Sequence, residues 1–243
     1  MWSDNVSPDF DPTAKGKVYN VDIAMCIDAT GSMTKLIDTV KRNALNFYHD
    51  VMDKMDKGGR GMGKHIDQLR VRVIVFRDYI ADGGNAMLAS DFYLLPDEER
   101  EFSEMVNGIA AFGGGDRPED GLEALAFAVK SDWTKTTAAR RHIIVVWTDD
   151  ATHELGFGKK ASNYPAGMPR DFEELTEWWG DAEFPGLMDN NAKRLLIFAP
   201  EERYWTTIAD NWDNTMFFPT KAGEGLREVE YQQILDSIYK SIS

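Results

Sequence analysis

Apolar and polar positions along the chain follow two alternating rhythms. Short apolar runs, some continuous and some alternating with polar residues, occur at 18–27, 69–79, 87–95, 140–150 and 193–200, with a last brief one in "TMFFPT". These are strand patterns, and the continuous ones belong to strands covered on both faces. Between them, apolar residues recur at helical spacing. "MTKLIDTVKRNALNFYHDVMDKMDK" places Leu36, Ile37, Val40, Leu45, Phe47, Val51, Met52 and Met55 on a single predicted helix. "PDEEREFSEMVNGIAAF" opens with proline and acidic residues, a favourable helix start. "EDGLEALAFAVKSD", "RDFEELTEWWGD", "EERYWTTIADNW" and "EGLREVEYQQILDSIYKSI" complete the helical set.

Strand–helix alternation of this kind predicts an α/β fold, doubly wound, with a mostly parallel central sheet flanked by helices on both faces. The run at 87–95, joined to the preceding strand by the "ADGGN" turn, is expected as one antiparallel edge strand. We expect an N-terminal extension over 1–16 and a single domain over 17–243. "GGRGMG" at 58–63 follows a helix, so it reads as a chain turn and not as a phosphate cradle.

The composition, 43% hydrophobic and 28% charged over 243 residues, is that of an ordinary globular protein. No apolar run reaches the roughly 18 residues of a membrane-spanning helix, so no membrane insertion is expected. The net charge of −14 argues against a nucleic-acid surface and suits cations or basic partners. One cysteine, Cys26, within an apolar strand permits no internal disulfide, and "MWSDN" does not begin a secretory signal. Both features set the expectation of a cytoplasmic protein; a secreted or cell-surface protein whose leader has been removed is the alternative.

Two apolar strands end alike. "AMCID" leads to Asp28 and then to Thr30 and Ser32, and "IIVVWTD" leads to Asp149. Ligands of open parallel sheets bind beyond the carboxyl ends of strands, where strand order reverses. A third loop, "GGGDRPED", carries Asp116 and Glu119 ahead of a helix. Asp28, Thr30, Ser32, Asp116, Glu119 and Asp149 are all hard oxygen donors, which select Mg²⁺, Mn²⁺ or Ca²⁺ over softer ions. Helix capping explains any one of them taken singly, and metal binding explains them together.

Asp28-x-Thr30-x-Ser32 resembles the signature that opens the metal-ion-dependent adhesion site of von Willebrand factor type A (VWA) domains, and the element order from about residue 18 onward is similar. The resemblance implies that Thr30 and Ser32 bind the ion through hydroxyls, that Asp28 accepts hydrogen bonds and binds it directly or through water, and that Asp149 is the acidic residue of the family's fourth strand. "GGGDRPED" lacks the threonine many of these domains carry and looks like the Asp-x-Pro-Glu loop of integrin β-subunit domains and microbial relatives. That likeness makes Glu119 a ligand and Asp116 a ligand or a loop cap. "FRDY" at 76–79 is similar to a stretch common in the microbial members, and the stand-alone size resembles that of the tellurite-resistance-associated TerY-like proteins.

The implied function is a non-enzymatic, metal-dependent protein-interaction module, with Mg²⁺ the first choice of ion and a partner's Asp or Glu completing its coordination. A scaffold in a bacterial stress or defence system is the expected setting, with an extracellular adhesin as the alternative. Met33, Gly115, Asp150 and His153 are expected on the partner-facing rim, and "ATHELGFGKKASNYPAGM" at 151–168 as a lid or specificity loop. Enzyme readings fit poorly. A dehalogenase-type phosphatase needs a second Asp where Thr30 stands, and a P-loop needs a lysine that "TGSM" lacks. "TGSMT" has no second glycine for a serine-hydrolase elbow.

Overall fold

The computed structural model describes residues 18–58, 65–113, 118–136, 139–224, 226, 229 and 231–242. The expected extension over 1–16, most of the glycine-rich connection, Gly115 and Asp116 lie outside the described residues.

The strands are β1 (Val18–Asp28), β2 (His65–Phe76), β3 (Met87–Ala89), β4 (Tyr93–Leu95), β5 (Arg140–Trp147), β6 (Lys193–Pro200) and β7 (Thr215–Thr220). They form one sheet of order β3-β2-β1-β5-β6-β7, with β4 also paired to β2. β1, β2, β5, β6 and β7 run parallel, and β3 and β4 pair antiparallel with β2. From β1 the chain winds toward one edge, and from β5 it winds toward the other. Strand order therefore reverses between β1 and β5, the place where a doubly wound sheet opens a crevice.

Alternation along β1 feeds two cores. Val21, Ile23, Met25 and Ile27 pack with α1 (Thr34–Asn43), α2 (Phe47–Gly58), α3 (Glu99–Gly108) and α7 (Tyr231–Ile242). Ala24 and Cys26 pack with α4 (Gly121–Val129), α5 (Phe172–Trp179) and α6 (Arg203–Asn211). Burial on both faces is what lets β5 and β6 run continuously apolar after their basic first residues. It also makes the polar ends of β1 conspicuous. Asp22, in the first half of the strand, is held by Arg70 through two hydrogen bonds, whereas Asp28, at the exit, is paired with no arginine among the described residues.

Two elements differ from expectation. The single helix expected over 33–57 is split into α1 and α2 by a 3₁₀ turn, Ala44–Asn46, and Leu45 projects into solvent. Asn43, a poor helix former, turns its side-chain amide onto the Thr39 carbonyl at that break. The run at 87–95 is two three-residue strands. Ser90 interrupts it because its hydroxyl accepts the Val73 amide and donates to the Asp91 carbonyl.

Candidate metal centre

Beyond β1 the chain turns on Asp28. Its Oδ1 accepts the Thr30 amide at 2.9 Å and the Thr30 hydroxyl at 2.7 Å, the local geometry an Asx turn favours. Its Oδ2 accepts the hydroxyl of Thr148, the first residue past β5, at 2.8 Å. The short 3₁₀ turn Gly31–Met33 then presents Ser32, whose Oγ lies 3.4 Å from Thr30 Oγ1 and donates to Asp149 Oδ1 at 2.8 Å. Oxygens from the ends of β1 and β5 thus meet at the switch point.

The third segment is placed by backbone. Glu119 bridges Thr152 in parallel fashion, its amide donating to Ala151 O at 3.1 Å and its carbonyl accepting from His153 N at 2.8 Å. The Asp120 amide donates to Arg77 O at 3.1 Å. The Glu119 carboxylate is buried, and its Oε2 has no hydrogen-bond partner among the described residues. Burial, followed by the charges of Asp28, Asp82, Asp78 and Asp150, pushes its carboxyl up to about 9. Burial likewise raises Asp28 to about 6 against the lowering effect of its hydrogen bonds from Thr30 and Thr148.

Arg77 braces these loops without neutralising the acids through direct bonds. Its guanidinium donates to the carbonyls of Ala29, Phe112, Asn85 and Ala110 at 2.6–3.2 Å and lies over the Phe112 ring. The result is a pocket of carboxylates and neutral hydroxyls with one orphaned buried oxygen. A hard divalent cation fits such a donor set, because it satisfies the orphan and offsets the crowded charge.

Of the residues singled out by sequence, Asp28, Thr30, Ser32 and Asp149 come together directly, and Glu119 lies within the electrostatic reach of Asp28. Ser32 is exposed and the other four are buried. Two rim expectations, Met33 and His153, need revision, and Asp150 keeps partial exposure. Met33 is fully buried in the core with Leu36 and Ile37, because the 3₁₀ turn swings it inward while exposing Ser32. His153 is buried too, its Nε2 2.8 Å from Asp78 Oδ2 and its ring stacked on Phe157. Asp150 is half-buried; its carbonyl accepts the Trp205 indole N–H at 3.0 Å. Sequence reasoning missed Thr148, Arg77, Asp78 and Asp120, although "FRDY", "WTDD" and "RPED" had marked their neighbourhoods.

No family model matches the chain, and no curated protein matches it. Among solved structures, the pilus adhesin SpaC from Lactobacillus rhamnosus GG is similar with a TM-score of 0.51 at 12% identity, covering 94% of this chain and 31% of that one. Proximal thread matrix protein 1 from the mussel byssus gives a TM-score of 0.45 at 10% identity, covering 94% of this chain and 48% of that one. The same protein with a zinc-occupied MIDAS motif gives 0.44 at 12% identity, with the same coverages. The chain spans less than half the length of each. The likeness is one of fold alone: a mostly parallel, doubly wound α/β sheet flanked by helices.

Proposed function

We propose that the chain is a protein-interaction module that engages its partner through a divalent cation. Thr30 and Ser32 would hold the ion by their hydroxyls, and Asp28, Glu119 and Asp149 directly or through water, with Asp116 a donor or a loop cap, so that one position stays open. Mg²⁺ is the first choice, ahead of Mn²⁺ and Ca²⁺, because every donor is oxygen. The observation that carries this reading is the 2.8 Å contact of Ser32 with Asp149 across the β1/β5 switch point.

When bound, such an ion supplies an electrophilic position for an incoming carboxylate. The chain's own residues do the rest. The two neutral hydroxyls add no further negative charge to the ion, and the Arg77 brace keeps the loops in register. Ile80, after β2, Phe112, before the Glu119 segment, and Phe157, after β5, are exposed on the loops that carry the site. They offer exposed apolar area on the loops at the strand exits, an anatomy suited to a protein partner. With a net charge of −14 on this chain, the partner's acidic residue is best carried on a neutral or basic face.

We assign no reaction to the site. Burial pushes the Cys26 thiol up to about 12, which leaves it inert, and the His153 ring is tied to Asp78. The single buried thiol is the basis for placing the protein in a reducing cytoplasm as a scaffold. The test compares melting and partner capture in Mg²⁺ and in EDTA. The reading requires Mg²⁺ to raise the melting temperature of the wild type but not of Ser32→Ala, and captured partners to elute with EDTA. Melting and capture indifferent to the chelator contradict it.

A further inference from the structure

A second group of ligand-bearing side chains stands behind Glu119. Asp78 follows β2, Asp120 precedes α4 and His153 lies on the loop after β5, and one ligand atom from each falls within 4.8 Å of the others. All three side chains are more than nine-tenths buried. Asp78 uses Oδ1 to accept the amides of Ile80 and Ala81, which leaves Oδ2 facing His153 Nε2. Asp120 uses Oδ2 to accept the Tyr79 amide at 2.6 Å, and its enclosed Oδ1 has no hydrogen-bond partner among the described residues. Native structures seldom leave a fully buried carboxylate oxygen unsatisfied, and a cation among Asp78, Asp120 and His153 would satisfy this one. Glu123, one turn into α4, adds another orphaned buried oxygen, Oε2.

We propose that Asp78, Asp120 and His153 bind a transition-metal ion of the Zn²⁺ class, at a site separate from the cation between Ser32 and Asp149. The donor chemistry separates the two. Ser32 and its companions offer only oxygen, whereas an imidazole nitrogen with two carboxylates favours Zn²⁺ over Mg²⁺ or Ca²⁺. The proton shared by His153 and Asp78 leaves to solvent as the ion takes its place. Tetrahedral bonds of about 2.0 Å require their 2.8 Å contact to open by only about 0.5 Å. The His153 ring is already oriented, because Phe157 stacks on it with centroids 4.0 Å apart and planes 10° from parallel. An ion there ties together the three loops around Glu119, whose carbonyl already accepts from His153 N and whose next residue is Asp120. The inference is independent of the proposed function, since it uses none of that site's donors.

The test titrates metal-free protein with Zn²⁺ by calorimetry in excess Mg²⁺, with circular dichroism confirming the fold of each variant. Wild type and Ser32→Ala are expected to take up one Zn²⁺ per chain. His153→Gln and Asp120→Asn are expected to weaken that uptake more than about 100-fold, beyond what loss of a supporting group costs. Asp120→Asn keeps an oxygen for the Tyr79 amide. Should either variant fail to fold, the ring ¹⁵N shifts of His153 in the wild type give the answer, because Zn²⁺ moves them strongly only by ligating that ring. Zn²⁺ uptake that Ser32→Ala abolishes, that both His153→Gln and Asp120→Asn leave intact, or that is absent from the wild type overturns the proposal. Mg²⁺-dependent melting is read separately through Ser32→Ala, so failure of one site is distinguishable from failure of the other.

Discussion

Ser32 and Asp149 stand 117 residues apart in sequence, yet the Ser32 hydroxyl donates to Asp149 Oδ1 at 2.8 Å. The contact exists because β1 and β5 are parallel neighbours, with Ile27 opposite Trp147, so both strands deliver their exits to one edge. Thr148 reinforces the junction by donating to Asp28. Removing the Ser32 hydroxyl should therefore cost little stability in EDTA, within about 1 kcal/mol for one partly exposed hydrogen bond, and should eliminate the melting increment that Mg²⁺ confers. Asp28→Asn should go further. With a buried charge removed, the metal-free melting temperature should hold or rise, and the response to Mg²⁺ should vanish. Scanning fluorimetry with and without Mg²⁺ checks both.

Stability should depend on pH in a direction set by the raised carboxyls. Glu119 sits at about 9 against an ordinary 4.5, and Asp28 at about 6 against 3.8. The folded, metal-free state thus holds protons that the unfolded chain releases. Stability from these groups is fully present below the ordinary values and is lost as pH rises through about 6 and then about 9. A bound cation replaces those protons, so Mg²⁺ stabilisation should grow across the same window. Urea midpoints at three pH values, in EDTA and in Mg²⁺, should diverge as pH increases.

Gly121 opens α4 directly after the Glu119–Asp120 pair, and a Cβ there would meet the Trp205 ring at 2.7 and 2.9 Å. The close approach seats Trp205, whose indole N–H holds the Asp150 carbonyl. Gly121→Ala should destabilise by about 1–3 kcal/mol through overpacking and should weaken Mg²⁺ binding by displacing the Glu119 segment. Denaturant unfolding and a Mg²⁺ titration on the same sample measure both effects.

Arg77 is nearly enclosed, and the four carbonyls it serves come from loops on either side of the site. Arg77→Met keeps much of the volume and strands those acceptors. A loss of at least about 2 kcal/mol in urea unfolding is expected. A neutral result would mean that the loops are held by other contacts.

The doubly wound fold was readable from the sequence because β5 and β6 carry continuous apolar runs that only a two-sided cover can bury. Asp28, Thr30, Ser32 and Asp149 were readable because they break those runs at the ends of strands. The break between α1 and α2 was hidden because Leu45 continues the helical stripe yet faces solvent. Met33 and His153 were misplaced for a related reason. Loop residues carry no periodicity, so their inward turn depends on contacts, the core for one and Asp78 with Phe157 for the other, that appear only once the chain has folded. The Asp78–Asp120–His153 grouping is likewise assembled from three loops and has no local spacing to announce it.

The central claim is a divalent cation held between the exits of β1 and β5. Crystals soaked in Mn²⁺ and measured for anomalous scattering test it most directly. A peak is expected about 2.2 Å from the hydroxyls of Thr30 and Ser32, with Asp149 and Glu119 beside it, and its loss is expected in Ser32→Ala. A soaked wild-type crystal with no anomalous density between Ser32 and Asp149 would contradict the account.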